Sequence, residues 1–127
     1  MSYGELLRLR LPCAPSAPRR AREALAELAE IASVREDALL VASELTTNAV
    51  LHSGCFADDD LELWADSSPG CLRITVLDLG RSGEDPVRRG LDPARPGGMG
   101  LAVIENVAQR WGAERDGHLR VWAELAL

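Results

Sequence analysis

The chain has 127 residues, of which 46% are hydrophobic and 27% are charged, a balance typical of one folded domain rather than a disordered segment. All 14 basic residues are arginine, and the absence of lysine excludes a Walker A phosphate loop and Schiff-base chemistry. Twenty acidic residues give a net charge of −6, which disfavours non-specific binding to nucleic acid or to an anionic membrane.

The three cysteines, Cys13, Cys55 and Cys71, form an odd set without the C-x-x-C spacing of a zinc or redox site. We therefore expect free thiols in a reducing cytosol rather than a disulfide framework. No apolar run approaches the roughly 20 residues of a membrane span, and the first residues lack the pattern of a secretory signal. The sequence predicts a cytoplasmic protein without membrane contact or direct binding to nucleic acid.

The first part of the sequence predicts one strand followed by two helices. Leucines alternate with arginines within residues 5–11, which is typical of a half-buried strand. Apolar residues at helical spacing predict a helix over 19–31, with Pro18 suited to its first turn. The pattern Ser33-Val-Arg-Glu36 is a capping box and predicts a second helix that runs to about Ser53.

The rest of the sequence predicts strands and one helix around a long loop. The patterns predict a solvated acidic turn at Asp58-Asp-Asp60, followed by a strand over residues 61–66 and a second strand over 72–78. They then predict a helix over 101–111 and a last strand over 119–125. Residues 80–98 hold five glycines and three prolines with no apolar period. A loop of this length in a compact domain is usually functional, so we expect a lid there.

This order of elements predicts an α+β two-layer sandwich within a single domain over residues 1–127. Runs of strands alternate with helices, so the helices should cover one face of a mostly antiparallel sheet. Strand parity then places Trp64, Leu77 and Trp122 on the opposite face. These side chains form either an apolar patch that contacts a partner or a second copy, or a face covered by the stems of neighbouring charged residues, namely Arg73, Arg120 and Glu62.

The second predicted helix carries polar residues beside its apolar stripe. Glu44, Asn48 and His52 stand at i, i+4 and i+8 and therefore form one row. On spacing alone this row is either a solvated helix edge or a functional one. In the functional interpretation Asn48 supplies an oxygen ligand to Mg²⁺, and Glu44 is a general base one turn earlier.

Two further motifs follow in the sequence. Asp78 ends an apolar strand, where it either opens a turn or accepts a hydrogen bond from a ligand's amino group, such as that of adenine. Gly80 would then let the ring approach the backbone closely. The glycines within 97–100 stand directly before a helix, where exposed amides form a phosphate cradle that needs no lysine. Such a loop alone is weak support, because many helices start in this way.

In this order and spacing the three motifs resemble those of the GHKL, or Bergerat-fold, ATPases. Glu44-Leu-Thr-Thr-Asn48 resembles the N box, Asp78-Leu-Gly80 the G1 box, and Gly98-Met99-Gly100-Leu101 the G2 box. Three longer runs are similar to the anti-sigma-factor serine kinases and their small stand-alone ATP-binding relatives, namely Val41–His52, Arg110-Trp-Gly112 and Val121–Leu125.

The resemblance implies a mixed, mostly antiparallel sheet of about five strands with three helices on one face. It places ATP between the second helix, the lid and the start of the third helix. It implies that Asn48 holds Mg²⁺, that Asp78 binds the adenine amine, and that Gly80 makes room for the base. The G2 residues would bind the nucleotide, with both glycines lining the phosphates, namely Gly98, Met99, Gly100 and Leu101.

The implied function is that of an anti-sigma-factor serine/threonine kinase. It would use Mg-ATP to phosphorylate an anti-anti-sigma (STAS-like) partner and would sequester a sigma factor, with Glu44 as the base that activates the partner's serine. The alternative is a non-catalytic, ATP-dependent binding switch. The sequence departs from the family where Leu119 and Arg120 replace a frequent lysine and threonine, so that a hydroxyl which helps to hold adenine through water is absent.

Overall fold

The computed structural model describes residues 2–52, 55, 58–78, 101–115 and 118–127. Within them lie five β-strands, three α-helices and one 3₁₀ helix. In chain order they are β1 (Gly4–Pro12), α1 (Ala17–Ala26), the 3₁₀ helix (Ala29–Val34), α2 (Arg35–His52), β2 (Asp60–Ser68), β3 (Cys71–Asp78), α3 (Leu101–Val107), β4 (Arg110–Arg115) and β5 (Leu119–Ala126).

The strands form one sheet in the order β1-β2-β3-β5-β4. Every pair of neighbouring strands is antiparallel, so the described sheet has no parallel member. Buried residues alternate along the central strands, as Leu61 and Leu63 do on β2 and Leu72 and Ile74 on β3, and this face carries the helices. The α+β sandwich with its helices on one face is therefore confirmed.

All three predicted helices differ from the observed ones in at least one boundary. The helix predicted over 19–31 ends at Ala26, because the amides of Glu27 and Leu28 bond to carbonyls three residues back and the chain then enters the 3₁₀ helix. That 3₁₀ helix contains Ser33 of the predicted capping box, and α2 begins at Arg35. Trp111, predicted as helical, lies in β4 because it pairs with Ala123 of β5.

A disulfide joins Cys13 to Cys55, so the expectation of free thiols is wrong for this pair, whereas Cys71 is free. Cys13 directly follows β1. Its backbone amide donates a hydrogen bond to the backbone carbonyl of Asp59, which lies in the segment between α2 and β2. This contact between distant segments brings the two sulfurs together across a separation of 42 residues. Spacing in the sequence could not indicate it.

Reduction of this disulfide should lower the free energy of unfolding by about 2–4 kcal/mol, because the oxidised unfolded chain has less conformational entropy. Urea unfolding with and without a dithiol reductant measures the change. Cys71→Ser is the matched control and should show the same response to reductant as the wild type. Equal unfolding midpoints for the oxidised and reduced wild type would contradict the prediction.

The start of β2 follows the predicted acidic turn, since residues 58 and 59 form a turn and a bend. Within the described ranges no group of three histidine, cysteine or acidic side chains is placed to hold a metal ion. None of the described helices is both long enough and apolar enough to cross a membrane.

Arginines cover the aromatic rings on the sheet face opposite the helices, which we call the open face. Trp64 has the guanidinium of Arg8 at 4.5 Å and that of Arg120 at 5.2 Å from its ring centre. Trp122 has Arg73 at 4.8 Å. The predicted parity of both tryptophans is confirmed, but the expectation of an exposed apolar patch is wrong. The alternative holds, because charged side chains lie over the rings.

Glu124 is the most buried acid of the open face and joins three other side chains. It accepts hydrogen bonds from Tyr3, from Arg73 at 2.7 Å and from Arg110. Burial alone would raise the pKa of the Glu124 carboxyl, but these three donors outweigh burial and hold the pKa below its ordinary value. The same contact raises the pKa of Tyr3 to about 12, chiefly through the hydrogen bond to Glu124.

Tyr3→Phe should destabilise the protein by about 1 kcal/mol at pH 8, the usual contribution of one hydrogen bond. Because the folded-state pKa of Tyr3 is raised from 10.0 to about 12, its contribution is present below pH 10 and is lost as the pH rises toward 12. Denaturant unfolding of both proteins between pH 8 and 12 should show the stability gap narrowing above pH 10. A gap that stays constant across this range would disprove the coupling.

Candidate functional site

The helix α2 positions the polar row next to the sheet. Its apolar stripe, Val41, Leu45 and Ala49, is buried in the core, and the helix packs on β3 and β5. Asn48 is buried beside this stripe, with an exposed fraction of 5%. Glu44 lies one turn earlier and is half-buried. The two residues of the row therefore differ in burial, since Asn48 is buried inside the protein and Glu44 is partly exposed at the protein surface.

A cleft opens between α2 and the sheet and contains two of the predicted site residues, Asn48 and Asp78. Helix α2, strand β3 and strand β5 each contribute to its lining, which consists of Leu45, Asn48, Ala49, Val76, Asp78, Leu119 and Val121. Residues 48 and 78 thus meet in space although 30 positions separate them in the sequence.

Asn48 carries an unsatisfied polar group at this cleft. Its Nδ2 is buried and has no hydrogen-bond partner in the described protein. A buried polar atom without a partner costs about 1–3 kcal/mol, so the arrangement favours a ligand that completes it. The other end of the carboxamide is an oxygen of the kind that Mg²⁺ accepts, and Mg²⁺ usually takes few protein ligands alongside waters and substrate phosphates. The site therefore fits a magnesium-bound phosphate group.

Asp78 supplies the carboxylate of the cleft. It is the last residue of β3, in register with Leu61 of β2, and is partly exposed. The other lining side chains of the sheet are apolar, namely Val76, Leu119 and Val121. A carboxylate at the end of an apolar slot can accept a hydrogen bond from an amino group on a flat heterocycle. This chemistry matches the exocyclic amine of adenine.

The remaining predicted site residues are outside the part of the chain that can be described. Gly80, Gly98, Met99, Gly100 and the lid residues are not among the described residues. Leu101 is the first residue of α3, and only its backbone is described. Helix α3 packs against α2, the helix that carries Asn48.

The sequence motifs do not indicate Leu119 and Val121 as site residues. Alternation along β5 predicts that Val121 faces the helices, but parity cannot say which cleft it lines. At the position where the family often has lysine and threonine, the structure places Leu119 in the cleft and Arg120 over Trp64 on the open face. The described part of the base-binding slot is therefore more apolar than the family pattern implies.

Comparisons with known proteins identify the family and the fold of the chain. The model of the family described as "Histidine kinase-like ATPase domain" matches residues 11–123. No curated protein matches the chain. Among solved structures, the crystal structure of the RsbU and RsbW domains of Rv1364c from Mycobacterium tuberculosis superimposes with a TM-score of 0.63 and 23% sequence identity.

That superposition covers 94% of this chain and 31% of the mycobacterial one, so this chain spans about a third of its length. At this identity the likeness supports the fold alone. The family match shows more than the fold, because it assigns the chain to a family over residues 11–123. This range includes all three predicted motifs and the cleft that holds Asn48 and Asp78. The chain belongs to the histidine kinase-like ATPase domain family, as its resemblance to the GHKL ATPases predicted.

Proposed function

We propose that the chain is an ATP-binding regulatory protein that holds Mg-ATP in the cleft between α2, β3 and β5. The observation that carries this proposal is the convergence of Asn48, with its unpartnered buried Nδ2, and Asp78 in one otherwise apolar cleft. Asp78 would accept the adenine amine, and the carboxamide of Asn48 would hold the metal ion. Bound Mg²⁺ would neutralise charge on the phosphates.

Residues beyond the described part complete the proposed site. Gly80 would give the base room beside the backbone, and the loop over about 80–98 would close as a lid within a single domain of residues 1–127. The G2 box would contact the triphosphate through backbone amides before α3, namely Gly98, Met99, Gly100 and Leu101. This arrangement would allow the chain to bind phosphate although it contains no lysine.

The reaction that we propose is transfer of the γ-phosphoryl group of ATP to a serine or threonine of a partner protein. The partner's hydroxyl oxygen forms the new bond to phosphorus, the bond to the β-phosphate oxygen breaks, and ADP leaves. Glu44 would accept the hydroxyl proton, since it is half-buried one helical turn from Asn48. Positioning and charge stabilisation supply most of the acceleration in such reactions.

The proposed partner is an anti-anti-sigma (STAS-like) protein, with a sigma factor as the protein that is sequestered. The resemblance of Val41–His52, Arg110-Trp-Gly112 and Val121–Leu125 to the anti-sigma-factor serine kinases supports this class of partner. The cytoplasm is the compartment in which ATP and sigma factors meet. Because disulfides are uncommon there, the redox state of Cys13 and Cys55 in cells provides a direct check of the location.

Incubation with labelled ATP and a candidate partner tests the proposal. Capture of partners on the immobilised chain, followed by mass spectrometry, supplies the candidates. Transfer of label to a serine or threonine of a captured STAS-like protein, dependent on Mg²⁺, is the expected result. Absence of both ATP binding and transfer would contradict the proposal.

A non-catalytic, ATP-dependent switch is the second candidate function. One observation favours this switch: Glu44, the proposed base, is not among the described residues that line the cleft. In that case ATP would change the affinity for the partner while no label is transferred. A single experiment that measures both partner capture and label transfer therefore distinguishes the two functions.

A further inference from the structure

One end of the Cys13–Cys55 disulfide contacts the turn of α2 that lines the proposed nucleotide cleft. Cys55 lies three residues beyond His52, where α2 ends, and its Sγ is 3.4 Å from the backbone carbonyl oxygen of Ala49. Ala49 lines the cleft next to Asn48. The disulfide therefore links the end of the helix that carries Asn48 to the residue that follows β1.

The two cysteines differ in their exposure to solvent. Cys13 is buried, with an exposed fraction of 6%, whereas Cys55 is partly exposed. A small thiol or disulfide in solution can therefore reach Cys55 before it can reach Cys13, and access of this kind decides which sulfur is attacked. The pair thus has one sulfur that can exchange with a small molecule and one that can complete the exchange from inside.

Backbone contacts hold the chain around the disulfide without the help of either sulfur. Strands β1 and β2 pair as far as Pro12 and Asp60, and the amide of Cys13 donates to the carbonyl of Asp59 at 3.0 Å. Cys55 itself packs against the hydrophobic core. The Cα atoms of the two cysteines are 6.2 Å apart, which a disulfide spans without movement of the backbone. The bond can therefore open and re-form within the folded protein.

We propose that Cys13 and Cys55 form a reversible redox switch that sets the order of the end of α2 and, through it, the affinity of the cleft for nucleotide. The second part rests on the function proposed above. In the oxidised state the disulfide fixes Cys55 against the last turns of α2, so that Asn48 and Ala49 are already in place when Mg-ATP arrives. Such ordering before binding strengthens affinity.

In the reduced state this covalent restraint is absent, and the end of α2 opens more readily, since helix ends are among the least stable parts of a fold. The cleft then has to be ordered at the moment of binding, which weakens affinity. The proposed compartment agrees with a regulatory role, because the disulfides of cytoplasmic proteins are mostly transient and catalytic or redox-sensing.

The oxidant is a small disulfide of the glutathione class. The thiolate of Cys55 attacks one of its sulfurs, a mixed disulfide forms, and one small thiolate leaves. The thiolate of Cys13 then attacks the sulfur of Cys55, the bond to the small molecule breaks, and a second thiolate leaves. Two protein thiols are thus oxidised to one disulfide, while one small disulfide is reduced to two thiols that take up the two protons. Excess small thiol reverses both steps.

Isothermal titration calorimetry of the whole chain with ATP and Mg²⁺ tests the effect on the cleft. The wild type is measured after oxidation by glutathione disulfide, after reduction by excess glutathione and after reoxidation, with the thiols counted by alkylation and mass spectrometry. We expect binding to weaken at least about fivefold on reduction, which is the lower end of the usual coupling between two sites, and to recover on reoxidation.

Two variants serve as matched controls for this titration. Cys55→Ser cannot form the disulfide and should bind Mg-ATP as weakly as the reduced wild type in all three conditions. Cys71→Ser removes the free thiol and leaves the pair intact, so it should respond like the wild type. Equal affinity of the oxidised and reduced wild type would overturn the proposal, as would tighter binding after reduction or a disulfide that glutathione leaves intact.

Hydrogen exchange followed by mass spectrometry gives a readout that does not depend on nucleotide. Reduction should speed the exchange of the amides of residues 48–52 more than that of residues 40–44 in the middle of the same helix. Equal acceleration along α2 reports only a loss of global stability and would overturn the switch. If neither redox state binds Mg-ATP while exchange at 48–52 still follows the redox state, the proposed function fails and the switch at the helix end stands.

Discussion

Asn48→Ala should abolish measurable binding of Mg-ATP while leaving the fold intact. The substitution removes the one buried carboxamide at the described cleft, and with it both the unpartnered Nδ2 and the oxygen proposed to hold the metal ion. Isothermal titration calorimetry with ATP in the presence of Mg²⁺ measures the loss. Thr47→Ala is the matched control, because Thr47 is the neighbouring residue of α2 and does not line the described cleft.

Asp78→Asn probes the other end of the same cleft. It should weaken ATP binding by about 1.5–3 kcal/mol, the contribution of a hydrogen bond to a charged group. The amide keeps the shape of the side chain, so the loss would report the carboxylate itself. If both folded variants bind Mg-ATP with wild-type affinity, the nucleotide does not occupy this cleft.

Glu44→Gln should separate chemistry from binding. The amide keeps the size and most of the hydrogen-bonding capacity of the side chain but can no longer accept the proton of the partner's hydroxyl. Binding of Mg-ATP should stay at wild-type strength, while phosphoryl transfer falls by a factor of about 10²–10⁴. The rate of label transfer to the captured partner is the measurement.

The control for this experiment is Glu36→Gln, an exposed acid in the first turn of the same helix. It should transfer phosphate like the wild type. A wild-type rate for Glu44→Gln would exclude Glu44 as the base. No transfer by the wild type itself, with its true partner present and ATP bound, would favour the binding switch.

Local patterns predicted the sheet well because alternation directly reports which face of a strand is buried. Leu61 and Leu63 face the helices as expected, and Trp64 and Trp122 lie on the open face. Trp111 shows the limit of local patterns. Its helical spacing from Leu101 and Ile104 suggested a longer helix, but pairing with Ala123 of β5 places it in a strand. A contact between distant parts of the chain decided its conformation.

The same limit applies to the cysteines and to part of the site. Nothing near Cys13 in the sequence indicates Cys55, because the contact depends on the path of the chain after α2. The meeting of Asn48 and Asp78 was predicted, although through the resemblance of their motifs to a family rather than through spacing. Leu119 lines the cleft by virtue of the register between β3 and β5, which strand patterns alone do not determine.

The position of β5 in the sheet determines when the cleft can exist during folding. This strand is the last of the five in the sequence, yet it lies between β3 and β4, and Leu72 pairs with Leu125 across 53 residues. Such distant pairings form slowly, because the chain must close long loops before any contact stabilises them. Strand β3 keeps one edge unpaired until β5 arrives, which exposes that edge to association with other chains.

Leu119 and Val121 of β5 also form one wall of the cleft. A nascent chain that already contains α2 and β3 therefore has both Asn48 and Asp78 but no complete pocket between them. The ability to bind nucleotide should emerge only after β5 has been synthesised and has entered the sheet. A partly made chain that lacks β5 would then also lack the proposed nucleotide site.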